Sequence, residues 1–336
     1  VELAYARVDD RWKLCDLETV LLESDRLRVV VIPGHGAHVQ QIVDKVSGHD
    51  LLFENPRRDP YPPVYGEPWS AWLGGIDELI PTGWASRHQG ERYPDHGEVV
   101  TRAWTCDVLE RGPEVASIRL FCHGLLAPFR VERTMTIAAG SSELRMEHAV
   151  TNLWDRPLDF LWGLHVSFDG RFDYRMDLPA ETVYEEHYRE RYFDGGPIPE
   201  YRWPYREADG ARLDMRRPQD GPDMILHYAM VNDGWAAFTD LDRGIGVAIG
   251  FDPSVFPVLG LWILRGRGGH KLTSISPWTG WPVRLADAAE RGRCATLGPG
   301  ERLTTSTRWV VYHDRDPVVG MTPAGELARG NPAGAR

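Results

Sequence analysis

The chain has 336 residues, 42% hydrophobic and 26% charged, with a formal net charge of -11. That is a soluble globular composition with no run near the ~20 apolar residues of a membrane span, and its acidity argues against nucleic acid, which needs a basic face. Four scattered cysteines, Cys15, Cys106, Cys122 and Cys294, form no C-x-x-C pair; this argues against a zinc ribbon or a disulfide scaffold, and reduced thiols in a cytoplasmic protein are expected.

In chain order the pattern is β almost throughout. "LRVVVIP" (27–33) is a short apolar run closed by "GHG". "AHVQQIVDKVSGHDLLFENP" (37–56) reads as strand, turn at Ser47 and Gly48, strand. In "SIRLFCHG" (117–124), Ile118, Leu120 and Cys122 alternate; in "FRVERTMTI" (129–137), Val131, Met135 and Ile137 share a side. "AAGSS" is a turn, and in "ELRMEHAVTNL" Leu144, Met146, His148 and Val150 fall together. "WAAFTDLDRGIGVAIGF" (235–251) predicts two strands around a turn at 242–244, and "RLTTSTRWVVY" (302–312) a last long strand. "PVRLADAAERG" (282–292), with proline early and glycine late, predicts one short helix. Nothing alternates strand with helix as a parallel α/β fold would.

The expected fold class is therefore all-β, a large antiparallel β-sandwich. One domain is expected over 1–314. It carries a polar, proline-broken excursion at 184–223 that reads as a rim or lid, and a loose tail rich in Pro, Gly and Ala follows from 315 to 336. The N-terminus lacks the basic, apolar and small-residue succession of a secretory leader, so none is expected.

Two stretches point to chemistry. In "FLWGLHVSFDG" (160–170), strand alternation puts Trp162, Leu164, Val166 and Phe168 on a core face. Leu161, Gly163, His165, Ser167 and Asp169 take the other face, where the small neighbours of His165 leave room for a ligand. In "WLGGIDELIPTGW" (72–84), two glycines precede Asp77 and Glu78, which would set a carboxylate at the rim of a cleft. His35 and His38 in "GHGAH", with His96 and His165, are conceivable metal ligands, but the spacing matches no zinc signature; neither metal nor cofactor is expected.

The succession "IPGHGAHVQQIVDKVSGHDLLFENP", "PDHGEVVTRAW", "NLWDRPLDFLWGLHVSF", "LWILRGRGGHKLTSISPWTGWP" and the closing "LGPGERLTTSTRWVVY" resembles the galactose mutarotase-like superfamily, which includes aldose 1-epimerases. The resemblance covers roughly 21–312 and implies a β-supersandwich with a sugar cleft on one sheet. It makes His165 the general acid on the ring oxygen and His96, in "DHGE", a sugar contact. The family's general base is a glutamate before proline, and here Ser276 stands at that place. A serine hydroxyl cannot take the anomeric proton unless another base activates it. Glu78 and Asp169 are the candidate catalytic replacements, with Asp77 and Glu98 beside them. Trp278 and Trp281 are candidate stacking residues, and Arg265, Arg267 and Lys271 would suit an anionic sugar.

The resemblance thus implies an aldose 1-epimerase-like enzyme acting on a free sugar or sugar derivative. The loss of the glutamate keeps two alternatives open: a non-catalytic carbohydrate-binding protein, or a different sugar isomerase, lyase or hydrolase on the same fold. The expected partner is a small-molecule carbohydrate, with no nucleic acid and no membrane; a homodimer is compatible with the sequence.

Overall fold

The alternation at 129–137 becomes the strand Phe129–Ala138, whose side chains are buried and half-buried in strict turn. One face meets the core and the other meets water, as in an antiparallel sheet covered on one side. Its neighbours largely follow the same rule, and the ladders that join these strands are antiparallel. A computed structural model describes residues 4–70, 72–186, 198–208, 210–218, 224–266 and 269–330.

Among the described residues two large sheets face each other. The back sheet runs, in spatial order, Tyr174–Asp177, Trp235–Asp240, Ile245–Phe251, Arg302–Tyr312, Glu143–Asn152, Phe129–Ala138, Val115–His123 and Thr105–Arg111. The front sheet is larger. Its central strands are His38–Asp44, Ile76–Leu79, Gly163–Val166, Lys271–Trp278, Val258–Arg265 and Met224–Val231. Ile76–Leu79 and Gly163–Val166 are buried on both faces, because loops cover the side turned away from the core. The short helix forms over Leu285–Glu290. No helix among the described residues is long and apolar enough to cross a membrane. All four cysteines are free.

Two expectations are corrected. The tail expected to be loose folds as a hairpin, Val318–Met321 with Leu327–Arg329. Val318 packs there with Trp235 and Tyr312 in a small apolar cluster behind the back sheet. The excursion at 184–223 in part extends the front sheet: Glu200–Arg202 pairs with Ala180–Glu186, and Tyr205–Ala208 and Ala211–Asp214 form a hairpin. Residues 187–197, 209 and 219–223 of that excursion lie outside the described residues.

The core between the sheets holds a charged cluster. Glu78 projects inward from Ile76–Leu79 and is 0% exposed. Its Oε1 accepts the Trp162 Nε1–H at 2.9 Å and lies 3.9 Å from His148 Nδ1; its Oε2 accepts from Arg133 Nη1 at 3.4 Å. Arg133 and His148 belong to the back sheet, so the cluster joins the two layers through the core. Arg133 also donates to the carbonyl of Ala37, and His148 Nε2 is 3.1 Å from Thr307 Oγ1. Burial alone would raise the Glu78 carboxyl; His148, Arg133 and Trp162 hold it below its ordinary value.

Breaking such a buried pair by removing one member leaves the other charge uncompensated, at a cost of about 3–5 kcal/mol. Arg133→Met is therefore expected to lose about that much stability in urea unfolding. Adding Glu78→Gln to Arg133→Met is expected to recover part of the loss; a double variant as unstable as the two single losses combined would contradict the pairing.

Candidate functional site

The opposite face of the same front strands carries an open cleft in which His96, His165 and Trp278 meet. Register decides what faces it. Asp77 pairs with His165 across the ladder between Ile76–Leu79 and Gly163–Val166. On the other side, Gly163 pairs with Trp278, which brings Ser276 beside His165; Ser276 Oγ accepts the Val166 N–H at 3.2 Å. Gly260 then pairs with Ser276, Trp262 with Ser274, and Leu226 with Trp262. One face of five strands thus presents, side by side, an acid, an imidazole, two hydroxyls, a glycine gap, an indole and an aliphatic side chain.

The floor is the Trp278 indole, and three glycines make space for it. A Cβ at Gly163 would sit 2.4 Å from Trp278 Cδ2, one at Gly260 2.9 Å from Nε1, and one at Gly83 2.8 Å from Cη2. All are closer than carbon and nitrogen atoms can approach without displacement. The indole can lie flat only because these three positions have no side chain.

The second imidazole arrives on a loop. His96 has φ +62°, in the left-handed region that non-glycine residues rarely occupy. The strain is fixed from both sides. The His96 N–H donates to Gly83 O at 2.9 Å and the Glu98 N–H to Ile80 O at 2.8 Å. Between them, a Cβ at Gly97 would lie 2.2 Å from Ile80 O. So held, the His96 ring stands edge-on to His165, with centroids 5.7 Å apart. His96 Nδ1 is 3.3 Å from Asp95 Oδ2, and the same oxygen accepts the Trp69 Nε1–H at 2.6 Å. Trp69, from the irregular segment before Gly74, lies 4.7 Å from His96 and lines the cleft mouth while remaining 44% exposed. Strained non-glycine residues gather at functional sites.

His165 is buried, with its ring tilted against Trp262 at 5.2 Å, and its Nδ1 has no hydrogen-bond partner. Burial first, and then the neighbouring His96, lower its pKa to about 4. The imidazole is therefore neutral at pH 7 and can accept a proton. Behind it, burial would raise Asp77, but His38 (Nδ1 to Oδ1 2.7 Å) and more distant imidazoles keep that carboxyl below its ordinary value.

Comparison with solved structures now has a site to refer to. A protein from Klebsiella pneumoniae named as a candidate aldose 1-epimerase superposes with a TM-score of 0.69 at 16% identity, covering 92% of this chain and 83% of that one. A galactose mutarotase-like protein from Clostridium acetobutylicum gives 0.66 at 13% identity, over 92% and 99%. Another from Lactobacillus casei gives 0.63 at 15%, over 88% and 100%. The chain has the galactose mutarotase-like fold. Neither a family model nor a curated protein sequence matches it, and at these identities the likeness concerns the fold alone.

On this galactose mutarotase-like scaffold the residues predicted from sequence separate into two groups. His165, His96, Ser276 and Trp278 line the cleft together, and Asp77 stands beside His165 in the ladder. The others are elsewhere. Glu78 points into the core, because neighbours on a strand face opposite ways. Asp169 is held by Arg171 Nε and Nη2 at 2.6–3.0 Å and does not line the cleft. Glu98 accepts the backbone N–H groups of Leu125, Leu126 and Ala127 and so clamps a turn. Arg265 donates to Pro218 O at the end of its strand, away from the lining; Arg267 lies outside the described residues. Trp281 stacks on Tyr184 at 4.5 Å, under Arg293. His35 Nδ1 lies 2.9 Å from Tyr61 O, so neither it nor His38 faces the cleft as a ligand. Sequence reasoning missed Trp69, Leu79, Trp84, Ser274, Leu226 and Val283, which also line the cleft, and Asp95 behind His96.

Two outcomes follow from this geometry. Gly163→Ala is expected to push Trp278 from its seat, lower stability by about 1–3 kcal/mol and alter the near-UV circular dichroism; an unchanged spectrum would contradict the packing. The unfolded chain binds a proton at a histidine near pH 6.5 that folded His165 accepts only near pH 4. Stability is therefore expected to fall as pH drops from about 6.5 towards 4, and more steeply in the wild type than in His165→Gln. Equal slopes would show that His165 is not held neutral.

Proposed function

We propose that this chain is an aldose 1-epimerase-like enzyme that interconverts the anomers of a sugar, with its two cleft imidazoles as the acid–base pair. The observation that carries the reading is the pair itself: His165 and His96, 5.7 Å apart and perpendicular, over a floor of indole. Aromatic rings suit the C–H face of a pyranose, and ring opening needs one group to take the anomeric hydroxyl proton while another protonates the ring oxygen.

The roles differ from those the resemblance implies. His165 is neutral at pH 7 and takes the anomeric hydroxyl proton. His96, beside the Asp95 carboxylate, gives a proton to the ring oxygen. The bond from the anomeric carbon to the ring oxygen breaks, the carbonyl forms, and rotation about the neighbouring carbon–carbon bond exposes the other face. Closure runs the two transfers backwards.

A second reading, a carbohydrate-binding protein without turnover, draws on Ser276. It is bonded to Val166 N–H and 2.8 Å from Ser274 Oγ, with no carboxylate among the described lining residues. The same absence weighs against a glycoside hydrolase, which uses two carboxylates.

Freshly dissolved aldoses followed by polarimetry or NMR separate these readings. The wild type is expected to speed equilibration of at least one sugar, and His165→Ala and His96→Ala each to lose about 10²–10⁴-fold in kcat with circular dichroism unchanged. Saturable binding with no acceleration would favour the binder; a His165→Ala variant with full turnover would refute the assignment.

A further inference from the structure

We infer, on the footing of that reading, that the substrate is an uncharged sugar with one apolar edge, a deoxy sugar rather than a fully hydroxylated or anionic one. The lining divides into a small polar patch and apolar walls. Its polar side chains, the indole N–H groups apart, are His165, His96, Ser274 and Ser276. Three of them lie on the adjacent strands Gly163–Val166 and Lys271–Trp278, and the fourth stands edge-on to His165. The two serines spend part of their capacity on each other and on Val166 N–H. Beyond Trp262 the lining turns to Leu226, and around Gly83 and Gly163 it is closed by Val283 and Leu79; none of the three offers a side-chain donor or acceptor.

A sugar whose reacting oxygens meet the two imidazoles therefore turns its remaining edge towards hydrocarbon. A hydroxyl there loses water without gaining a partner, whereas a methylene or methyl group is favoured. Anionic sugars fit less well still. No described lining residue is Lys or Arg, and Arg265, one of the three cations the sequence offered, is bonded to Pro218 O. A buried charge needs a partner, and the chain's net charge of -11 disfavours the approach of an anion.

The test uses the full chain with D-glucose, D-galactose, their 6-deoxy counterparts, 2-deoxyglucose, 3-deoxyglucose and glucose 6-phosphate. Anomer exchange is followed by NMR, and binding by quenching of indole fluorescence. At least one deoxy sugar is expected to exceed its parent by about 10–100-fold in kcat/KM and in affinity, with the phosphate poorest. Leu226→Asn is expected to narrow that gap. The inference is overturned if each parent hexose equals or beats all of its deoxy forms, or if the phosphate binds best, while exchange itself still supports the anomer reading. If no sugar exchanges but a deoxy sugar binds more tightly than its parent, the substrate class stands and the anomer reading falls. If nothing exchanges and nothing binds, both fall.

Discussion

The alternation of one four-residue strand, Ile76–Leu79, organises the molecule. Its register sets Asp77 opposite His165 and Glu78 opposite Leu164, so two neighbouring carboxylates serve two layers. Asp77 goes to the cleft side, where His38 holds it 2.7 Å away. Glu78 goes to the core, where Arg133 and His148 reach it from the other sheet. A slip of one residue would exchange them, burying Asp77 without His38 and stripping Arg133 of its partner. Both sides of the strand resist that slip, so the cleft inherits its precision from the core.

The same economy appears in the floor. Trp278 is a large apolar surface carried on a central strand, and it lies flat because Gly163, Gly260 and Gly83 yield to it. Two of these glycines sit on the strands flanking its own, and the third on the segment that anchors His96 through its carbonyl. The seat of the indole and the position of the second imidazole are therefore one packing problem, and a side chain added at Gly83 would disturb both.

Much of the fold was legible. The period-two patterns at 129–137, 144–150 and 160–168 name the core faces, and the side assigned to His165 is the cleft side. The misplaced carboxylates show what local pattern leaves out. Arg133 shares a face with Val131, Met135 and Ile137, and a cation on a core face demands a buried anion. That demand was readable, but its answer, Glu78, lies 55 residues away in sequence. Asp169 was readable too: Arg171, two residues on, is placed on the same side to engage it. The reach of Trp69 and Asp95 over the cleft was not readable, because irregular segments carry no periodicity to say where they return.

The serine at 276 changes what kind of acid–base site this face can be. A carboxylate there would share a low-dielectric cleft with His165 and favour the charged imidazole. With hydroxyls on that strand, burial and His96 act on His165 with opposition only from the Asp77 and Asp95 carboxylates, and the neutral ring prevails. A neutral imidazole is an acceptor, and on the proposed reading the anomeric proton goes to the very residue whose protonation a carboxylate at 276 would have supported. That reading draws the proton for the ring oxygen from elsewhere. Among the described lining residues His96 is the one other side chain of that chemistry, and its backbone anchors and the indole against it set it beside His165, where that reading needs its donor.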